Sequence, residues 1–405
     1  MTKDKDLEDG VWRKTFLLDL VRAIPLGVVE TVSSTFAVLI AIRYLGLDTI
    51  FKSSIMAAPA VGLLLSLFSV AMVRRKGWSV NLAASVLWLI AGMGFALSAL
   101  GSHNAAWYLT GLVLALVAHG VSSPLMAQIY RKHYPNEIRG KLFSAVGMVR
   151  AGTAAAFAFY AGVLLTNETI GYQGLLWVFA ICSVFKGVFT MLMNPVHLRK
   201  SNKLHVLEAY GHLKTDKVFR KLIGTWMLLG LGNLMCMVLF VEYAANPEYG
   251  FHFTDAEVSI VTTTVPMLAF IGSVFLWGMI YDKMEFYRLR VTVNLFFCAG
   301  ILVFFLAPNY LLLCVGMALH GMGKAGGNVL WSLWVTKFAP ADKVSEYMSV
   351  HTSLTGARGI FSAFIAFPLL LWAGPAVVGI TGASLILLSS LWLMPEVKEN
   401  WGKRG

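Results

Sequence analysis

The chain has 405 residues, of which 58% are hydrophobic and 13% charged, about half the charged share of a soluble domain. That much apolar surface excludes a water-soluble globular protein. The net charge of +12 reads as loop charge held near anionic lipid, not as a nucleic-acid surface.

Apolar runs of about 20 residues, enough to cross a bilayer core, recur twelve times, at 17–45, 53–73, 79–100, 106–130, 141–166, 173–194, 220–244, 256–281, 289–307, 309–337, 346–372 and 375–394. The opening Met1 to Gly10 is polar and acidic, unlike a cleaved signal peptide. Alternate turns carry the positive charge: Lys14, Arg74, Arg75, Lys132, Arg139, Arg199, Arg288, Arg290, Lys343 and Lys398 all fall on the side of the N-terminus. In total 26 of the 33 Lys and Arg lie there, against Lys52 alone in the opposite turns. Cytoplasmic loops retain Lys and Arg, so the expectation is an all-α multi-pass protein of the cytoplasmic (inner) membrane with both termini in the cytoplasm. The polar stretch from His197 to Lys221 is too short for a nucleotide-binding domain. Any transport must therefore draw on a gradient or a partner. Cys182, Cys236, Cys298 and Cys314 sit singly in apolar runs without metal-ligand spacing, and no metal or cofactor is expected.

The chain divides into six spans in 1–196, a central loop at 197–219 and six spans in 220–405. The halves look like copies. His119-Gly120 recurs as His320-Gly321 at an offset of 201, Gly27-x-x-Glu30 faces Gly230-x-x-Asn233 at 203, Pro135 matches Pro340 at 205, and Arg150 matches Arg358 at 208. An even number of spans per half makes the duplication parallel, about an axis along the membrane normal. In secondary transporters that arrangement puts the substrate site between the halves near midplane.

The 6+6 arrangement, with short turns opposite the termini, resembles the major facilitator superfamily over nearly the whole chain. Gly278-Met279-Ile280-Tyr281-Asp282-Lys283, with Arg288 beyond it, is similar to that family's Gly-x-x-x-Asp-Arg/Lys signature between spans 8 and 9. Between spans 2 and 3 only the basic cluster Arg74-Arg75-Lys76-Gly77 remains, and YPNEIRGK from Tyr134 to Lys141 also looks like the family's form. The resemblance implies a two-bundle fold and alternating access. It also implies a cytoplasmic gate at Asp282, Lys283, Arg288, Arg74 and Arg75, in which Asp282 latches to the start of span 5 near Gly140 and Lys141. The Gly-Pro-containing stretch of the family's drug exporters is absent from Ser144 to Phe157, which makes drug export less expected.

An ionisable group at bilayer depth is costly, and each is a functional candidate by default. Asp19, Arg22 and Arg43 lie near span ends and are expected to snorkel. Lys186 is central in span 6, a helix the resemblance places at the periphery. Glu30 lies toward the middle of span 1, after Pro25, and is the expected proton-coupling residue; the alternative is an ion pair with Arg150. Arg150, Arg358, Lys324, His119, His320 and Asn233 are the expected substrate-binding residues. Lys324 lies one turn beyond His320 on a shared helix face. Three fixed cations with few acids suit a carboxylate or phosphate, which arginine grips with parallel donors. On the competing view the two arginines brace the bundle by bonding Glu30 and backbone carbonyls. The histidines are expected as interhelical hydrogen bonders more than proton relays. Gly321-x-Gly323-x-x-Gly326 spells a dinucleotide fingerprint, but it lies within span 10 without a βαβ unit; helix packing explains it better.

The resulting expectation is a monomeric secondary transporter for a small solute, proton-coupled, with an organic anion as the guess. A receptor or scaffold on a transporter fold, or a drug or metabolite exporter, are the alternatives. No grouped nucleophile or metal site points to an enzyme.

Overall fold

The computed structural model describes residues 2–101, 104–135, 138–199, 208–281, 284–340 and 343–399. Asn136, Glu137, Asp282 and Lys283 lie outside them. The described chain is almost wholly helical. Ten helical stretches are long and apolar enough to cross a membrane. The last of them is two helices meeting at Gly374, whose φ of 81° breaks the run; Tyr310–Phe338 adds a further helix of spanning length. The spans are α1 (Gly10–Arg43), α2 (Thr49–Lys76), α3 (Val80–Leu100), α4 (Ala105–His133), α5 (Arg139–Thr166), α6 (Tyr172–Leu192), α7 (Lys217–Ala245) and α8 (Asp255–Ile280). They continue with α9 (Phe286–Phe305), α10 (Tyr310–Phe338), α11 (344–373) and α12 (375–399). Short turns join successive spans, so these alternate in direction, which defines a terminal side, where α1 begins and α12 ends, and a distal side.

Turn chemistry sets the helix starts. Asp48 accepts from the amides of Ile50 and Phe51, Ser79 from Leu82, Asn104 from Ala106, Asp216 from Phe219, and Thr254 with Glu257 forms a reciprocal capping box. Each satisfies amides that a helix start leaves bare. Outward-facing side chains such as Phe68, Met93, Leu311 and Trp372 are large, apolar and exposed, as a lipid-facing surface requires.

The sequence repeat has a physical counterpart. Between α3 and α4, a Cβ on Gly94 would strike the carbonyl of Gly111; between α9 and α10, a Cβ on Gly300 would strike that of Gly316. The glycine after each repeated histidine does the same work. Gly120 lies against Pro59 of α2, and Gly321 against Pro266 of α8. Glycine here lets backbones touch, the packing favoured where lipid supplies no hydrophobic drive. The Gly-rich stretch of α10 is packing of this kind: Gly326 meets Val293 and Trp277, and Gly323 meets Phe297.

The halves meet along two seams. α2 packs on α11, where Gly356 and Gly359 admit Ala60 and Leu64. α5 packs on α8, where a Cβ on Gly162 would overlap Ser259.

Candidate functional site

At mid-depth between the halves, the Glu30 carboxylate on α1 joins three helices. Oε2 accepts from Arg150 Nη1 on α5 at 2.9 Å, and Oε1 accepts from Lys324 Nζ on α10 at 3.2 Å. Arg150 belongs to the same half as Glu30 and Lys324 to the other, so one acid ties the halves together across the interior. The side chains keep 26% (Arg150), 38% (Lys324) and 18% (Glu30) exposure, so each stays partly open to solvent. The group carries two positive charges and one negative.

Helix α1 is positioned to present Glu30. A Cβ on Gly27, one turn earlier, would meet the Arg150 backbone, so α1 and α5 pack close enough for the pair to form. One turn later, residues Val32–Phe36 form a π-helical turn, and Ile260–Thr264 of α8 form another. The two turns face each other: Ser34 bonds Thr263 at 2.6 Å, and Thr35 bonds Thr262 at 2.6 Å and Thr263 at 2.7 Å. π turns widen a helix locally and recur at functional sites. Here they set hydroxyls from both halves edge to edge just beyond the ionic group.

Further toward the distal side, two ion pairs cross between halves. Arg43 pairs with Asp255, which also accepts from the Tyr44 hydroxyl, and Arg43 donates to the carbonyls of Ala245 and Phe253. Lys52 pairs with Glu242 at 2.7 Å. Thr166 accepts the amide of Ala256 at the start of α8. A distal recess of about 370 Å³ lies over the first pair, lined by Arg43, Tyr44, Glu168 and Asp255.

Several expected roles change. Arg43 does not snorkel; it is committed across the halves. Arg22 is buried and bonds Asp19 at 2.6 Å, while Tyr130 and Tyr134 also donate to that carboxylate, so α1 is bolted to α4 by an enclosed network. Arg358 does not join Arg150 in the cavity. It is 6% exposed and donates Nη1 to the Trp226 carbonyl, filling the space that Gly230 leaves open. The reason lies in the repeat. The position matching Glu30 is Asn233, which has no charge, and its Oδ1 already accepts from His320 Nε2 at 3.1 Å. With no acid to draw it inward, the second arginine turns to a backbone carbonyl.

The two histidines do bond across helices. His320 bonds Asn233 of α7 and meets the edges of Phe297 and Phe240. His119 lies 3.4 Å from Lys186 Nζ and edge-on to Trp88. Lys186 is fully buried, with Nζ 3.6 Å from the centroid of the Trp88 ring, a cation–π geometry. Of the residues expected at the gate, Arg74 and Arg75 are exposed at the end of α2, and Arg288 is exposed on the first turn of α9. Asp282 and Lys283 lie outside the described residues. Arg290, expected in a loop, is fully buried inside α9.

Residues 236–405 match the family model described as Major Facilitator Superfamily. Among solved structures, the nucleoside transporter NupG superposes with a TM-score of 0.71 at 12% identity, covering 96% of this chain and 99% of that one. The chain has the major facilitator fold. The human organic anion transporter MFSD10 (TETRAN) gives a TM-score of 0.70 at 11% identity over 95% of this chain and 99% of the other. XylE of E. coli, a xylose transporter, gives 0.68 at 14% identity over 98% of both. In sequence, a stretch of 162 residues is 33% identical to organic cation/carnitine transporter 7 of Arabidopsis thaliana. That stretch is 39% of this chain and spans about a third, 31%, of the plant protein. The resemblance in fold read from the sequence is thus borne out, and the interior group can be weighed as a transport site.

Proposed function

We propose that the protein is a secondary active transporter that carries a small organic anion together with a proton by alternating access. The observation that carries this reading is the Glu30 carboxylate shared between Arg150 and Lys324 across the two halves. The interior group holds one more cation than acid, so an anion entering the cavity is attracted to it. Its carboxylate or phosphate competes with Glu30 for the same two donors. Once displaced, Glu30 loses the charges that held it ionised, and burial then favours its neutral form. Anion binding and proton binding therefore support each other. One monovalent anion and one proton leave the site's net charge unchanged, so transport is electroneutral.

The charge bias of the loops supports placing the terminal side in the cytoplasm. On that orientation, the Arg43–Asp255 and Lys52–Glu242 pairs and the threonine contacts close the outside. The protein is then in an inward-facing state, whose distal bonds must break when the halves rock outward. Nucleosides, a sugar and organic anions all appear in the names of proteins sharing this fold. The substrate class proposed here therefore rests on the cavity's charge, not on those names.

The test begins with a thermal-shift screen of purified protein against organic anions, sugars, peptides and amines. Anions should stabilise the wild type and fail to stabilise Arg150→Ala. The stabilising anion should then undergo counterflow in proteoliposomes, exchanging labelled for unlabelled solute. Stabilisation by neutral or cationic ligands alone would remove the anion from the account, and binding without counterflow would favour a receptor.

A further inference from the structure

A second set of buried cations lies in the C-terminal bundle, toward its terminal side and apart from the Glu30 group. Arg290 of α9 is 0% exposed, and none of its three guanidinium nitrogens has a hydrogen-bond partner. Its Cζ sits 3.9 Å from the centroid of the Trp226 ring on α7. Arg358 of α11 bonds the Trp226 carbonyl, and its Nε is unpartnered. His351, two turns before Arg358 on α11, packs against Trp226, Trp331 and Trp334 with ring centroids 5.4, 4.0 and 5.1 Å away. Its Nε2 is unpartnered, as are the indole nitrogens of Trp226 and Trp334. Trp226 is the hub that brings these groups together from four helices.

Four described acids of this end are engaged elsewhere. Glu346 pairs with His212, Asp216 accepts from Tyr347, Glu396 pairs with Lys221, and Glu285 caps the start of α9. Among the described residues, no carboxylate bonds either guanidinium. Water can satisfy an N–H but cannot supply a counter-charge, and an uncompensated buried ion costs several kcal/mol. The cluster offers almost only donors. A small acceptor carrying negative charge is the ligand that such a set fits, and the close packing of rings around it rules out a bulky one.

We propose that Arg290, Arg358 and the surrounding indole and imidazole nitrogens form a binding site for a small inorganic monovalent anion of the chloride type. The site is independent of the transport cavity. Its occupant braces α7, α9, α10 and α11, so the C-terminal bundle moves as one body when chloride is present.

The test uses the purified full chain in sodium chloride and in sodium gluconate at equal ionic strength. Chloride should raise the melting temperature by about a few degrees, the shift expected for a ligand at several times its Kd. Arg290→Gln should melt at the same temperature in both salts. Iodide, which quenches indole on contact, should give a saturable quenching component in the wild type that shrinks in Trp226→Phe. That arm keeps the proposal testable if Arg290→Gln does not fold. Equal melting in both salts, quenching that is linear throughout, or a chloride effect that persists in Arg290→Gln would each overturn the site.

Discussion

Glu30→Gln is expected to lose proton-driven accumulation while keeping exchange. For an electroneutral one-to-one symporter, each unit of pH gradient supports about tenfold accumulation, since one pH unit is about 1.36 kcal/mol. The amide removes the titrating group and leaves Arg150 and Lys324 available to the anion. Uptake into proteoliposomes should then stop near equal concentrations inside and outside, whatever the imposed gradient. Counterflow of labelled against unlabelled anion should persist. In the wild type, accumulation should follow the pH gradient and be indifferent to membrane potential. Undiminished gradient-driven uptake by Glu30→Gln would take coupling away from this residue.

Arg43→Glu is expected to open the distal side. The substitution removes the ion pair with Asp255 and the bonds to the carbonyls of Ala245 and Phe253, and it sets two acids against each other. Breaking a largely buried pair costs on the order of 3 kcal/mol, enough to shift a two-state equilibrium roughly a hundredfold. A cysteine placed at Thr263 in a cysteine-free background reports this directly, because Thr263 is buried against Ser34 and Thr35. Labelling by a membrane-impermeant maleimide from the distal side should rise at least about tenfold on the same scale. Adding Asp255→Arg to restore a pair of reversed polarity should bring labelling back down. Labelling of Arg43→Glu equal to that of its parent would show that the pair does not hold the distal side shut.

The sequence shows some of these features plainly and conceals others, for physical reasons. Spans and repeat are legible because bilayer thickness fixes run length and close packing fixes glycines; Gly120 against Pro59 and Gly321 against Pro266 are one contact made twice. Glu30, Arg150 and Lys324 stand out because charge inside an apolar run demands a partner or a task. Arg358 misleads because a repeat preserves position, not rotamer; with Asn233 in place of an acid, the guanidinium turns to the Trp226 carbonyl. Arg290 and Lys52 look like loop charges, and Arg43 like a snorkelling one, because they sit within a turn or so of a span end. Burial decides otherwise, and burial depends on helices far away in the chain. Lys52 and Glu242, for example, are separated by 190 positions. The two π turns leave no mark in composition at all. Their threonines read as ordinary small polar residues until the halves bring them together.

The central claim is that a bound anion takes Arg150 and Lys324 from Glu30, which then takes up a proton. Proton uptake on ligand addition tests it most directly. Purified protein in weakly buffered solution near neutral pH, with a pH indicator, is mixed with a saturating amount of the anion found by thermal shift. About one proton should be absorbed per wild-type chain, the charge balance of a single carboxylate neutralised on binding. Glu30→Gln should bind the anion and absorb none. Saturating binding to the wild type with no proton taken up, or equal uptake by Glu30→Gln, would contradict the account.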